Sequence, residues 1–434
     1  MYGCTFTAFL YQANKVVVSP GTMNVATFIA KRIAFNRQKS FSRFIIRLAT
    51  AATALSIAAM IVTISFVTGF QQTVANKVYS FWGHLRVQEY EQDKAIVAEE
   101  SPLQKNDTVL NVLHKVPEIK KVQAFATKSA VISYKSEIEG LLIKGVESDY
   151  DFSNLQKFLK AGRWINFSDS LYSKDIVISQ QIAEELQIKV NDTVQVYFIT
   201  ASEGKSTVRK MHVCGIYKTG IEEYDKLFAL TDLRLVRRIN NWNDDEIGGY
   251  EVFLNDYHKV DTVNAMLYDK YQLPGAWISR PIKEVYPNIF DWLSIQDVNR
   301  DVIFIVMSVV AIINLITCLL ILVLERTRMV GILKAVGSTD WTIQKIFLFY
   351  ATLIAGSGIF IGLVVGVGLC LLQQYTGFIK LDESAYYVSE APVIIIWWQV
   401  GVVCAATLVV CYIALLLPTL FVKAIKPVKA IQFK

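Results

Sequence analysis

The chain has 434 residues, of which 53% are hydrophobic and 19% are charged. This composition is too apolar for a soluble globule of that length and too charged for a simple bundle of membrane helices. The formal net charge is +6, but the basic residues beside the apolar segments form a topology signal, so we exclude a nucleic-acid-binding surface.

The first 47 residues form a basic leader without an evident cleavable signal peptide. Met1 and Met23 are both candidate translation starts, because Met23 opens a stretch that looks like a natural beginning. Aromatic and aliphatic side chains alternate with basic ones from Phe28 to Phe41, which favours an amphipathic helix in the membrane interface. A flexible basic segment is the alternative.

The chain contains four long uncharged runs after the leader. Even the shortest, of 23 residues, would reach about 35 Å as a helix, enough for a hydrocarbon core of roughly 30 Å. We therefore predict four transmembrane helices, at residues 48–70, 302–324, 346–372 and 393–422.

Lysine and arginine residues mark one side of these spans. They precede the first span, lie between the second and third, and follow the fourth, so the leader, residues 325–345 and the tail, residues 423–434, are predicted to be cytoplasmic. Both termini would then be cytoplasmic. The 231 residues of segment 71–301, and the short connection 373–392, would lie outside.

Segment 71–301 changes to short alternating strands separated by turns, typical of a mixed α+β domain, for which we expect two lobes. Helical stalks should join it to the first two spans, so that a tilt of the spans would move the domain. The predicted elements are a hairpin of Val131–Lys135 and Gly140–Val146, strands at Asp175–Ser179, Thr193–Ile199, Met211–Tyr217 and Tyr250–Leu254, and helices at Gln181–Leu186 and Leu230–Ile239.

The sequence offers no motif for catalysis. None of the four histidines lies in a triad or metal-ligand pattern, and Cys214 is the only cysteine of segment 71–301, so no disulfide forms within it. A phosphate loop is absent, so the chain is not expected to bind ATP or to be an enzyme. Gly358, Gly362 and Gly366 recur every four residues, which favours close helix packing.

The short segment 325–345 between the second and third spans combines a charged head with an amphipathic body. It is predicted to project from the membrane as a small helix, giving another protein, a separate motor, a surface to push on. The residues to which we assign this coupling role are Glu325, Arg326, Arg328, Gly331, Lys334 and Gly337.

Together these segments resemble the FtsX/MacB-like, or type VII, ABC transporter permeases, which have four spans and a large MacB-like periplasmic domain after the first. The stretch Glu325–Gly337 resembles their coupling helix. The chain looks most like the lipoprotein-releasing Lol permeases, on the segments Phe28–Arg32, Leu142–Val146, Gly215–Asp225, Tyr386–Pro392 and Pro427–Ile431.

This resemblance implies a multi-pass protein of the bacterial inner membrane that extracts acylated lipoproteins from the outer leaflet and passes them to a periplasmic carrier. The partners implied are a LolD-like ATPase subunit, which would bind ATP and Mg²⁺, a second permease chain and membrane lipid; no cofactor is expected in this chain. By analogy, acyl chains would contact Phe66, Phe70, Phe304, Ile305, Tyr386 and Tyr387.

Two alternatives within the family remain open at this point. One is a MacB-like efflux permease that exports peptides or small molecules, and the other is an FtsX-like mechanotransmitter that activates a cell-wall hydrolase. The 231-residue outer segment argues against the second alternative, whose outer domains are usually smaller. Within the Lol reading, the chain could be the carrier-binding permease, its partner, or a homodimer that serves both roles.

Overall fold

The computed structural model describes residues 41–90, 101–168, 171–199 and 206–419, in two compact units. The helical unit holds the described residues up to Ser65, Arg300–Leu372 and those from Ile395 onward. The α+β unit holds Phe66–Asn299 and Gln373–Ile394. The predicted interfacial helix of the leader before residue 41, both candidate start sites and the tail, residues 423–434, lie outside the described residues.

Twelve strands and twelve helices follow one another in the described residues. The helices are α1 Phe41–Trp82, α2 Asp107–His114, α3 Gln180–Glu185, α4 Glu222–Asp225, α5 Leu233–Asn240, α6 Val260–Asp269, α7 Ile282–Val285, α8 Pro287–Glu325, α9 Thr327–Ala335, α10 Asp340–Thr376, α11 Glu383–Tyr386 and α12 Trp397–Thr419. The strands are β1 Leu85–Glu89, β2 Leu103–Gln104, β3 Ile119–Tyr134, β4 Glu137–Val146, β5 Leu159–Gly162, β6 Asp175–Ser179, β7 Thr193–Ile199, β8 Ser206–Tyr217, β9 Phe228–Asp232, β10 Glu246–Ile247, β11 Gly249–Leu254 and β12 Trp277–Pro281.

Among the residues that the structure describes, four helices, α1, α8, α10 and α12, are long and apolar enough to cross a membrane. Helix α1 continues past the apolar run to Trp82, and α8 begins at Pro287, well before Val302. Helix α12 begins at Trp397, so the prediction of a helical span from residue 393 is wrong at this end. The reason is the run of β-branched residues Val393–Ile396, which favours extended backbone.

Within the helical unit, glycines of α10 allow close contact with α1. A Cβ atom added to Gly362 would lie 2.5 Å from the Ala54 carbonyl oxygen, and one added to Gly358 would lie 2.8 Å from Thr53 Cβ. This is the tight helix packing that the four-residue glycine repeat predicted. The amide of Asn314 also donates a hydrogen bond to the Ala49 carbonyl, at 3.0 Å, as expected for a polar residue in a span.

The α+β unit contains one ten-stranded sheet, in the order β12-β1-β11-β3-β4-β9-β6-β8-β5. Strand β7 pairs with both β3 and β8, which closes a ring of pairings β3-β4-β9-β6-β8-β7. The 16-residue strand β3 belongs to the ring and also pairs with β11 outside it. Strand β3 thus joins the ring to the strands outside it, and β10 and β2 pair in a separate two-stranded sheet. The expectation of two lobes stays a prediction.

All six predicted strands are present, and the β3–β4 hairpin pairs Tyr134 with Glu137 across its turn. The prediction of a helix over Leu230–Ile239 is wrong in its first three residues, which belong to β9. Here the parallel pairing of β9 with β4 overrides local helix propensity. Asp232 then ends the strand and caps α5, because its carboxylate accepts a hydrogen bond from the Arg234 backbone N–H.

The end of α1 lies in a hydrophobic core of the α+β unit. Val74, Val78 and Phe81, which the sequence places on one face of a stalk, are fully buried or nearly so. They share this core with Ile289 and Leu293 of α8. The end of α1 and the beginning of α8 are therefore built into the α+β unit.

Candidate functional site

The coupling segment folds as the short helix α9 followed by a turn into α10. Gly337 has a φ of +93°, a conformation that L side chains rarely adopt, and this ends the helix. The backbone N–H of Ser338 donates to the Leu333 carbonyl, and that of Gly337 to the Lys334 carbonyl, as in a glycine-terminated helix. Gly337 therefore sets the angle between α9 and α10.

Lys334 forms an ion pair within the coupling segment. Its ammonium group forms a 2.9 Å ion pair with Asp340, the first residue of α10, and only 11% of the Lys334 side chain is exposed. Gly331 is buried on the inner face of α9, next to Val330, which packs in the core of the helical unit. Lys334, Gly331 and Gly337 thus determine the shape of the segment.

The outer surface of the segment is formed by the other residues. Glu325 and Arg328 are exposed and Arg326 is half-buried. Three apolar side chains that sequence reasoning missed are also exposed: Ile332 at 50%, Val336 at 82% and Trp341 at 57%. Ile332 and Val336 are four residues apart, so a helical projection of the segment would have placed them on one face.

In the α+β unit, four of the six predicted lipoprotein-contacting residues lie in one aromatic row. Phe66 stacks on Phe70 with ring centroids 5.6 Å apart, and Phe70 meets Trp292 of α8 edge-on at 5.3 Å. Trp292 in turn contacts Tyr387 at 5.5 Å and Tyr386 at 6.4 Å. Sequence reasoning missed Trp292, although it lies among the apolar stalk residues Ile289, Phe290 and Leu293.

The members of this row differ in exposure. Phe70 is buried, Phe66 and Tyr387 are half-buried, and Tyr386 is exposed. The Tyr387 hydroxyl donates a 2.9 Å hydrogen bond to Glu223, and burial together with this bond raises the pKa of Tyr387 to about 12. Phe70 and Tyr387 are therefore held by packing and hydrogen bonding, and Phe66 and Tyr386 offer the accessible surface.

The remaining two predicted residues, Phe304 and Ile305, lie on α8 in the helical unit. Ile305 is exposed and Phe304 is half-buried. Exposed apolar side chains on a membrane helix face lipid or another protein without any cost of exposure to water.

The described residues contain no group of three or more histidine, cysteine or acidic side chains that could hold a metal ion.

Two family comparisons cover most of the chain. Residues 48–267, half of the chain, match the family described as the MacB-like periplasmic core domain. Residues 302–427 match the family described as the FtsX-like permease C-terminal. The chain belongs to the FtsX/MacB-like permeases. The permease is close to the Lol family, whose ABC-transporter permease subunits are non-catalytic.

Two curated relatives illustrate this similarity. The permease is 24% identical over 432 residues to the lipoprotein-releasing system transmembrane protein LolE of Haemophilus influenzae, covering 94% of this chain and 100% of that protein. It is 23% identical over 421 residues to LolC of Neisseria meningitidis serogroup B, covering 92% of this chain and 96% of LolC. With its four apolar helices, the permease is a multi-pass inner-membrane protein of the Lol type.

Solved structures of two outer domains also show similarity. The extracellular domain of the ABC-type transporter YknZ from Gram-positive bacteria is 16% identical with a TM-score of 0.31, over 45% of this chain and 98% of that one. The periplasmic region of MacB from Actinobacillus actinomycetemcomitans is 13% identical with a TM-score of 0.32, over 47% of this chain and 91% of that one.

Proposed function

We propose that the permease, driven by a separate ATPase subunit, extracts acylated lipoproteins from the outer leaflet of the inner membrane and passes them to a periplasmic carrier. The observation that carries this proposal is similarity along almost the whole chain to two lipoprotein-releasing permeases. The need for a motor follows from the substrate. A lipid anchor gains about 0.8 kcal/mol per buried methylene, so extraction of a multiply acylated protein is strongly uphill.

The proposed complex contains two permease chains, the same or homologous, and two ATPase chains that bind ATP and Mg²⁺. Both termini and α9 would be cytoplasmic, and the α+β unit periplasmic, as the flanking lysines and arginines indicate. In this orientation the ATPase subunit docks on the exposed face of α9 and the following turn, where Ile332, Val336 and Trp341 provide apolar contact area.

Depletion of the permease tests the substrate. Lipoproteins bound for the outer membrane should then accumulate in the inner membrane, as measured by membrane fractionation. Normal sorting would contradict the proposal. Co-purification with an adaptor and an outer-membrane channel would instead favour MacB-like efflux, and capture of a cell-wall hydrolase would favour an FtsX-like role.

The ATPase interface can be tested apart from the segment's internal structure. Val336→Asp places a charge on the exposed apolar face and should lower lipoprotein release per ATP hydrolysed in the reconstituted complex, while the α+β unit stays folded. Lys334→Ala and Asp340→Asn should each loosen the turn, because each removes one partner of the same ion pair. A Val336→Asp complex with unchanged coupling would contradict this docking face.

Substrate contact can be mapped with a photoreactive amino acid at Phe66, Tyr386 and Phe304 in the assembled complex. Crosslinks to lipoprotein are expected at these positions before ATP addition and should decrease after it. Tyr268, exposed on α6 and outside the aromatic row, is the control position. Equal labelling at Tyr268 and at the three test positions would contradict a specific acyl-chain site.

A further inference from the structure

A cavity of about 450 Å³ in the α+β unit lies beside α1 just after its apolar run. Among the residues that the structure describes, four lysines line it, together with a single carboxylate, Glu383 of α11. Thr73 and Asn76 of α1 add neutral hydrogen-bonding groups. The lysines are Lys77, Lys157, Lys160 and Lys218.

The one carboxylate in the wall is already engaged by two of the lysines. Glu383 lies 2.6 Å from Lys218 and 3.8 Å from Lys77. The Lys77 ammonium also donates a 2.6 Å hydrogen bond to the Tyr387 carbonyl, which fixes its position at the cavity wall. Two lysines are therefore held in place before any ligand arrives.

The other two lysines differ from this pair in their contacts. Among the described residues, neither Lys157 nor Lys160 has a carboxylate within 4.0 Å. Both repel the ammonium group of Lys77, and partial burial lowers the pKa of Lys157. Asp225 also acts on the charge of Lys77, but its carboxylate accepts hydrogen bonds from the N–H groups of Thr219 and Gly220 and from the Thr219 hydroxyl.

Gathering four ammonium groups around one carboxylate costs free energy, and an anion bound among them would recover it. The cavity volume falls in the range of small-ligand sites. A phosphate group suits it best, because its several charged oxygens can accept hydrogen bonds from lysines on different elements at once.

The position of the cavity indicates the source of the phosphate. Thr73 and Lys77 follow Phe70, the last residue of the apolar run, by three and seven residues on the same helix. At 1.5 Å per residue they lie roughly 5 to 10 Å beyond it along the helix axis, at the depth of lipid headgroups.

We propose that this cavity binds a phosphate-bearing anion, with the headgroup of an anionic phospholipid as the source that its depth favours. The expectation that this phospholipid lies in the outer leaflet rests on the proposed function and its orientation of the permease. The binding of a phosphate-bearing anion by the lysines does not. A bound headgroup would touch α1 and α11 together, and would hold lipid beside the accessible residues Phe66 and Tyr386.

The test measures binding to the purified full-length permease by native mass spectrometry. The probes are dihexanoyl phosphatidylglycerol, dihexanoyl phosphatidylcholine and inorganic phosphate. The variant K157Q/K160Q should weaken phosphatidylglycerol binding by about tenfold or more, because each basic contact contributes about a fivefold factor. K157R/K160R should retain binding, since it preserves both charges.

The matched control K189Q/K210Q removes the same charge from exposed lysines of the same unit that do not line the cavity. Its affinity should change less than about twofold. Equal losses in both double variants, no loss in K157Q/K160Q, or equally tight binding of phosphatidylcholine would each overturn the proposal. Lysine-dependent binding of inorganic phosphate alone would support the phosphate site and identify the free ion as its source.

The binding measurement uses no lipoprotein and no ATPase. If no lysine-dependent anion binding is found, the proposal of lipoprotein release is therefore unaffected. Failure of the sorting experiment would in turn leave the lysine-dependent binding intact, so the two proposals can be overturned separately.

Discussion

The ammonium group of Lys144 lies 2.5 Å from the Glu251 carboxylate, and neither side chain is exposed to solvent. Lys144 also donates a hydrogen bond to the Phe81 carbonyl and lies 4.4 Å from the centre of the Trp82 ring. A lysine that binds a carbonyl in the last turn of a helix interacts favourably with the helix dipole. This pair therefore ties the end of α1 to strands β4 and β11.

Breaking this pair should strongly destabilise the permease. Lys144→Met would remove the ammonium partner of the buried Glu251 carboxylate, which we expect to lower the free energy of unfolding by about 3 to 5 kcal/mol. The double variant K144M/E251Q should recover part of this loss. Denaturant unfolding of the full-length protein in detergent micelles measures both effects. In the control Lys283→Met, which breaks an exposed pair with Asp261, the loss should stay below about 1 kcal/mol.

Because α1 and α10 are in close contact, alanine substitutions at two glycines of α10 should have opposite effects on stability. In Gly362→Ala the new Cβ would lie 2.5 Å from the Ala54 carbonyl oxygen, so the helices must separate, at a cost of about 1 to 3 kcal/mol. Gly368→Ala meets nothing within 4 Å and should keep or raise the melting temperature. Melting temperatures of both variants, measured side by side in detergent, check this; equal values would contradict the packing.

Gly69 should control how the connection before α12 is held. A Cβ there would lie 2.6 Å from the Pro392 carbonyl oxygen and 2.8 Å from the Ile394 nitrogen, both backbone atoms. Gly69→Ala should therefore displace the Gln373–Ile394 segment and speed its amide hydrogen exchange. Gly140→Ala, where nothing lies within 4 Å of the added atom, should leave this exchange unchanged. Unaltered exchange in Gly69→Ala would rule out the close approach.

His84 should make the stability of the permease depend on pH. Its ring nitrogen Nδ1 accepts a 3.0 Å hydrogen bond from the Leu254 N–H, and burial lowers the pKa of His84 to about 4. Between pH 6.5 and 4 the unfolded chain binds a proton that the folded one does not, so stability falls as pH falls through this window, by at most about 3 kcal/mol.

The variant His84→Asn keeps an acceptor at this position but does not titrate. From pH 7 to pH 4.5, the free energy of unfolding should fall by less in His84→Asn than in the parent protein. Identical pH slopes in the two proteins would show that His84 is not the group responsible.

Hydropathy and alternation predicted the elements that depend on near neighbours. The four apolar runs, the β3–β4 hairpin and the strand Thr193–Ile199 could be recognised because each pattern is contained within its own segment. Leu230–Asp232 was predicted as helix because its strand identity comes from pairing with β4, 86 residues earlier in the chain. A local pattern does not record such a partner.

The same division applies to the candidate sites. The position of the coupling segment between two spans, and the side chains Phe66, Phe70, Tyr386 and Tyr387, could be selected from sequence. That Trp292 joins these aromatic residues into one row could not, because it approaches them from a different helix.

By itself the sequence determined four apolar helices, a mixed domain and a charged segment after the second apolar run, since length, hydropathy and charge act locally. Only the tertiary structure decided that Lys334 is bound to Asp340 while Val336 faces outward, and that Lys77 and Lys157 line one cavity. The physical reason is that ion pairing and burial depend on distances between atoms that the folded chain alone brings together.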